Sequence, residues 1–129
     1  MELATSALID TSWFIAREQR RPIRPHPGPL VVSIVTIGEL RLDVLATADP
    51  DLRAQRLSTL LYAESLSNLS IDRVVAEAWA QLMQKLHSAG RDMPLNDSWI
   101  AATAIAHRIP LITRNADYDG IPGLHVIRV

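Results

Sequence analysis

RDMPLNDSWIAATAIAHRIPLITRNADYDGIPGL, residues 91–124, is the stretch from which the fold of this chain is read. Asn96 predicts a helix cap. Residues 97–106 predict a helix of small side chains that opens on Asp97, where the helix dipole favours a carboxylate. Residues 111–113 predict a short buried strand, which runs into a polar turn carrying two more acids, Asp117 and Asp119. A helix leading into a short apolar strand is half of an α/β unit, and the same alternation runs through the rest of the chain.

Upstream, residues 3–9 (LATSALI) end in an apolar run and hand over, at Asp10-Thr11-Ser12, to a helix over residues 12–20. Residues 20–29 (RRPIRPHPGP) carry Pro22, Pro25, Pro27 and Pro29, so they predict a basic loop rather than a helix or central strand. Residues 30–35 (LVVSIV) are β-branched and apolar, a second buried strand. Thr36 stands three residues before Glu39, which predicts a capping box and a helix to about Thr47. Asp49 and Pro50 predict the N-cap and first position of the next helix. Its apolar stripe is Leu57, Leu60 and Leu61, with Glu64 on the polar side. Residues 68–71 (NLSI) predict a third strand. Asp72 caps a helix whose Val75, Trp79, Leu82 and Leu86 share one face and which Gly90 ends. Residues 124–129 (LHVIRV) alternate as an edge strand does. The pattern is α/β: a five-stranded, mainly parallel sheet with helices on both faces, in a single domain over residues 1–129.

The bulk composition narrows the function. At 48% apolar, with 13 basic and 14 acidic side chains and a formal charge of −1, the chain has an ordinary globular balance. It has no whole-molecule attraction to nucleic acid or anionic lipid, so any such binding must come from local patches. With no cysteine, disulfides, thiolate zinc sites and a cysteine nucleophile are excluded, and a reducing cytoplasm is compatible. No apolar run approaches the ~18 residues of a membrane span, and residues 1–10 lack the basic region of a signal peptide.

The acids fall in a pattern. In open parallel sheets, ligands bind beyond the carboxyl ends of the strands. Asp10 follows the first strand, Glu39 lies a helical turn after the second, and Asp117 follows the fourth. Asp97 joins them if its helix runs antiparallel to the strand it precedes. Carboxylates so gathered cannot all stay ionised without a cation, and hard oxygen donors select Mg²⁺ or Mn²⁺. Such a site suits phosphodiester hydrolysis, because the metal acidifies a bound water and stabilises attacking and leaving oxygens. No Ser-His-Asp order, glycine-rich phosphate loop or HExxH motif competes. Each acid also has a purely structural reading, as cap or turn residue, and the pattern alone leaves the two readings evenly balanced.

LIDTS at residues 8–12, TIGEL at 36–40, LNDSWIAATA at 95–104 and LITRNADYDGIPGL at 111–124 resemble the PIN-domain ribonucleases, most of all the VapC-type toxins of bacterial toxin–antitoxin pairs. The resemblance spans nearly the whole chain, with its motifs in the same order. It implies a PIN-like three-layer sandwich and a Mg²⁺- or Mn²⁺-dependent endoribonuclease. By matched motif positions it implies Asp10, Glu39, Asp97 and Asp117 as catalytic acids, with Asp10, Asp97 and Asp117 as metal ligands. Ser12, Thr113 and Asn115 support them. The turn after the fourth strand is a residue shorter than in many relatives, which leaves Asp119 as a substitute for Asp117. The resemblance further implies an RNA substrate, a homodimer, and a cognate VapB-type antitoxin laid along the first helices. Leu40, Leu42, Leu45, Leu57, Leu60 and Leu61 could offer that peptide an apolar groove.

Outside the acids, Arg17, Arg20, Arg21 and Arg24 with His26 make a basic stretch. Arg114 sits nearer the acids and is the better candidate for an RNA phosphate contact. His26, His87, His107 and His125 are too scattered for a metal-ligand pattern. Trp13, Trp79 and Trp99 read as core packing. Two rival functions share the composition. A phosphoryl-acceptor or phosphatase domain is weakly evoked by Asp10-Thr11-Ser12, although the second Asp two residues on is absent. A degenerate binding module would have lost acids, and here at least three match.

Overall fold

The computed structural model describes residues 5–129, so residues 3 and 4 of the predicted first strand lie outside the described residues. The elements alternate: β1 (Ala7–Ile9), α1 (Thr11–Glu18), β2 (Leu30–Ser33), α2 (Ile34–Ala46), α3 (Pro50–Ser65), β3 (Ser67–Leu69), α4 (Arg73–Ser88), α5 (Leu95–His107), β4 (Leu111–Thr113) and β5 (Val126–Arg128). The strands form one sheet in the order β3-β2-β1-β4-β5, and every pairing is parallel. β1 aligns Ile9 with Val32 on one side and with Ile112 on the other.

The sheet buries both faces, which explains the near-continuous apolar strands. Ala7, Ile9, Val32 and Ile112 pack with Trp13 and Phe14 of α1, Leu40 and Val44 of α2, and Leu60 and Ala63 of α3. On the other face Leu8 and Leu111 meet Leu82 and Leu86 of α4 and Ile100, Ala101 and Ala104 of α5. The small residues of α5 let it lie close to α4. There Trp79 and Trp99 stack at 4.3 Å, and Trp79 Nε1 donates to Ser98 Oγ at 2.9 Å. No helix among the described residues is long and apolar enough to cross a membrane.

Chain order along the sheet reverses beside β1. β2 and β3 are laid down on one side, and β4 and β5 on the other. The carboxyl ends of β1 and β4 therefore flank a topological switch point, the crevice in which α/β sheets hold ligands.

Two caps differ from the sequence reading. The predicted box at Thr36 and Glu39 does not form. Ser33 is the N-cap of α2, accepting from the Val35 amide at 3.1 Å, so the helix starts as soon as β2 ends. Thr36 is drawn into the first turn and fully buried, which leaves Glu39 to find partners on other elements. Asn96 is not a cap either. α5 begins two residues earlier, behind Pro94, with no side-chain cap, and Asn96 sits inside its first turn. Asp10, Asp49 and Asp72 cap α1, α3 and α4, accepting from the amides of Trp13, Leu52 and Val75. Gly90 follows α4 at φ 66°, a left-handed conformation that glycine adopts without penalty. β4 spans the predicted residues, whereas the other strands are shorter than predicted, because each gives way to a cap or turn within three or four residues.

Candidate active site

Asp10 sits at the centre of the switch point, with 3% of its surface exposed. It is the last residue before α1, and its Oδ1 accepts from the Trp13 amide at 3.3 Å and from Ser12 Oγ at 2.7 Å. Its Oδ2 accepts from Thr113 Oγ1, also at 2.7 Å, across the gap to the end of β4. Each hydroxyl is itself oriented by backbone. The Arg114 amide donates to Ser12 Oγ at 3.0 Å, and the Asn115 amide donates to Thr113 Oγ1 at 2.9 Å. The amides can only donate to these hydroxyls, so both hydroxyl protons are left for the Asp10 carboxylate oxygens.

Three other acids lie at the same end of the sheet: the charge of Asp97 reaches Asp10, and those of Glu39 and Asp117 reach Asp97. Asp97 is half-buried in the first turn of α5. Glu39 extends from α2, where its Oε1 accepts from Thr11 Oγ1 at 2.6 Å and its Oε2 from Asn96 Nδ2 at 3.4 Å. Asp117 lies in a 3₁₀ turn, Ala116–Tyr118, whose N-cap is Asn115; the Asn115 side chain accepts from the Asp117 amide at 2.9 Å. Arg91 holds this turn from outside, donating to the carbonyls of Asp119 at 2.7 Å and Asp117 at 3.3 Å.

The electrostatics follow from the placement. Burial raises the pKa of Asp10. Hydrogen bonds from Ser12, Thr113 and Trp13 oppose the rise, and the negative charge of Asp97 adds to it. Asp97 is also raised, first by burial and further by the charges of Glu39 and Asp117, while the Tyr118 hydroxyl works against the rise. Tyr118 is fully buried, and its hydroxyl meets no group at full hydrogen-bond geometry among the described residues. It nevertheless faces Asp97 closely enough to favour the ionised carboxylate. Burial, then the charges of Asp10 and Asp97, push its own pKa far up, so it keeps its proton.

The ion pairs among the described residues are Arg41–Glu64 at 3.5 Å and Arg128–Asp119 at 2.8 Å. Among the described residues none of the four clustered acids has a cationic partner, whereas Asp119 is paired with Arg128. Of the two acids in the turn, Asp117 is the one whose charge reaches Asp97.

This donor set fits a hard divalent cation, since it is all carboxylate oxygen, mutually repelling and unneutralised by protein. Among the described residues, however, no three His, Cys, Asp or Glu side chains converge closely enough to enclose an ion by themselves. Mg²⁺, which keeps several waters and takes one or two carboxylates directly, is compatible with such a set.

The arginines separate into two groups. Arg114 is at the rim and donates to the Pro22 carbonyl at 3.0 Å, which ties the proline-rich loop to the turn after β4. Arg17 lies 3.9 Å from the Tyr62 ring centroid, on the α1–α3 face, and Arg20 and Arg21 are exposed where α1 ends. Trp13 packs edge-on against Phe14 and stacks with Tyr62, so it belongs to the core. Of the six leucines considered for a groove, Leu40 and Leu60 are core, while Leu42, Leu45, Leu57 and Leu61 remain exposed on α2 and α3.

Sequence reasoning missed Thr11, Asn96 and Tyr118 as partners of the acids. Thr11 and Asn96 carry only the signal of adjacency to Asp10 and Asp97. Tyr118 reads as a buried aromatic until its hydroxyl is placed.

Residues 7–124 match the model of the PIN domain family. The chain is 48% identical over 125 residues to Ribonuclease VapC4 of Mycobacterium tuberculosis, covering 95% of this chain and 96% of the relative. It is 40% identical over 129 residues to Ribonuclease VapC5 of the same organism, covering 96% of each. In a solved VapBC-5 toxin–antitoxin structure from M. tuberculosis, one chain superposes with a TM-score of 0.83 at 39% identity. That match covers 97% of this chain and 99% of the other.

Proposed function

The chain belongs to the PIN-domain family, and from that premise we propose that it is a divalent-metal-dependent endoribonuclease toxin, held inactive by a cognate VapB-type antitoxin. The supporting observation is the set of four carboxylates at the β1/β4 switch point, one of them the buried Asp10 held by two hydroxyls, with no ion pair to any of the four among the described residues. The named ribonucleases among its relatives support the substrate class, and the toxin–antitoxin structure supports the partner.

In this reading Asp10, Asp97 and Asp117 hold Mg²⁺ or Mn²⁺, partly through water. The bound ion supplies Lewis acidity, lowering the pKa of a water and screening the phosphate charge. The protein supplies position and proton transfer. Ser12 and Thr113 hold the Asp10 carboxylate as an acceptor, with their hydroxyl protons pointing at it. Asn115 sets the turn that presents Asp117. Glu39, oriented from both sides, faces the reacting phosphate as acceptor for the proton of the attacking water. Arg114 at the rim takes a neighbouring phosphate, with Arg17, Arg20 and Arg21 as further contacts along the strand. The products are a 5′-phosphate and a 3′-hydroxyl.

The exposed Leu42, Leu45, Leu57 and Leu61 give an antitoxin segment an apolar track across α2 and α3. A homodimer, a cytoplasmic location and a single PIN domain over residues 1–129 belong to the same proposal.

The test is cleavage of total cellular RNA by purified, antitoxin-free protein in Mg²⁺, in Mn²⁺ and in EDTA, beside Asp97→Asn. Discrete fragments that require metal and vanish in the variant are expected. Folded protein that cleaves nothing under any of these conditions defeats the enzymatic reading and leaves a binding module.

A further inference from the structure

Asp10 has two hydroxyl partners that the sequence motifs already bring to notice. Glu39 has one that they do not. Thr11 is the first residue of α1, and its hydroxyl crosses from that helix to α2, 2.6 Å from Glu39 Oε1. The same oxygen lies 3.1 Å from Thr36 Oγ1, which is fully buried behind it. Thr11 has a single hydroxyl proton. The shorter contact, to a carboxylate oxygen, is the stronger bond and takes it. On the other side Asn96 Nδ2, from the first turn of α5, reaches Glu39 Oε2 at 3.4 Å.

We infer that Thr11 is a positioning residue that fixes the Glu39 carboxylate against the catalytic pocket, a reading that rests on the ribonuclease function proposed above. Three features carry it. Glu39 has three rotatable side-chain bonds and no cation to hold it, so its carboxylate needs an external tether to stay in one place. Thr11 is β-branched and its χ1 is stiff, so a tether from it is narrow in direction. Thr11 also follows Asp10 directly at the start of one helix. The Asp10 and Glu39 carboxylates are therefore fixed relative to each other through a single peptide unit, rather than through the separate packing of α1 and α2. The failed capping box fits this arrangement: with Ser33 capping α2, Glu39 is free to turn toward Thr11.

The test is a double-mutant cycle in RNA cleavage with Mn²⁺, using wild type, Thr11→Val, Glu39→Gln and the double variant, with Thr11→Ser as rescue. Thr11→Val should lower kcat by about 10- to 100-fold, as loss of such supporting partners does, with KM little changed. In the Glu39→Gln background the same change should cost nothing further, and Thr11→Ser should restore near-normal kcat. Full activity in Thr11→Val, an additive loss on Glu39→Gln, or no rescue by serine each overturns the inference. Thr11→Ala replaces Thr11→Val if the latter does not fold. Crystal structures of Thr11→Val and Thr11→Ser give a readout independent of turnover. The Glu39 carboxylate should leave its place beside α1 in the first and keep it in the second. If wild type cleaves no RNA, the functional reading fails while the structures still decide the role of Thr11. A Glu39 that stays put in Thr11→Val refutes it.

Discussion

Replacing Thr113 with valine keeps the shape of a fully buried strand residue and deletes one oxygen. That oxygen donates to Asp10 Oδ2 at 2.7 Å and accepts from the Asn115 amide at 2.9 Å. A hydrogen bond to a charged acceptor contributes ~1.5–3 kcal/mol net. The Asn115 amide is only half-buried and can turn to water, so its lost partner adds little. The expected destabilisation is therefore ~2–3 kcal/mol, or about 10 °C in unfolding midpoint for a chain of this size. The assay is urea and thermal unfolding in EDTA, at one protein concentration because association would shift the midpoint. It should be run near neutral pH and again in acid. Losing the donor raises the already raised Asp10 pKa, so the deficit of the variant should be largest at neutral pH and shrink as Asp10 protonates. A loss below about 1 kcal/mol, or one that does not change with pH, would show that packing rather than a charge-directed hydrogen bond is what Thr113 contributes.

Three further predictions follow from the same carboxylates and their rim. Asp97→Asn should abolish metal-dependent cleavage while leaving the fold intact, as read by RNA fragment mapping beside circular dichroism. Asp10 and Asp97 have folded pKa values above their ordinary one, so the native state holds more protons than the unfolded state between the two values. Metal-free protein should then lose stability as pH rises through the folded values, and Mn²⁺ should restore it at neutral pH. Asp97→Asn should flatten that dependence, and an equally steep profile in the variant would show that other groups cause it. Arg114→Ala should raise KM and reduce the salt slope of RNA binding by about 1, measured as log affinity against log salt concentration. An unchanged slope would leave Arg114 with only its structural bond to Pro22.

Much of the acid set was legible because it depends on local facts. Asp49 and Asp72 each stand immediately before a helix, a position where few residue types serve, and both cap as read, while Asp10, the first of three candidate capping residues, caps an α1 that starts at Thr11 rather than Ser12. Short β-branched or apolar runs between helices required a parallel sheet, and strand polarity then put Asp10, Glu39 and Asp117 at one end. The two caps that failed show the limit of that reasoning. Thr36–Glu39 and Asn96 have the residue types a cap requires, but capping depends on where the helix starts. Ser33 and Pro94 start α2 and α5 earlier. That shift, of three residues for α2 and two for α5, moved Thr36 into the core and sent Glu39 and Asn96 to each other.

The α/β class, the parallel alternation and the acids at the carboxyl end of the sheet follow from periodicity and chain direction, which are properties of neighbouring residues. Which acid of the 116–119 turn faces the cluster, and how Glu39 is tethered, emerges only once the strands are assembled. Asp119 is taken by Arg128 on β5, and Asp117 is left to act on Asp97. Glu39 is held by Thr11, 28 residues away, and by Asn96, 57 residues away. Such partners are chosen by the order in which strands join the sheet. That order is set by burial of both faces at once, a global condition that no local stretch of sequence contains.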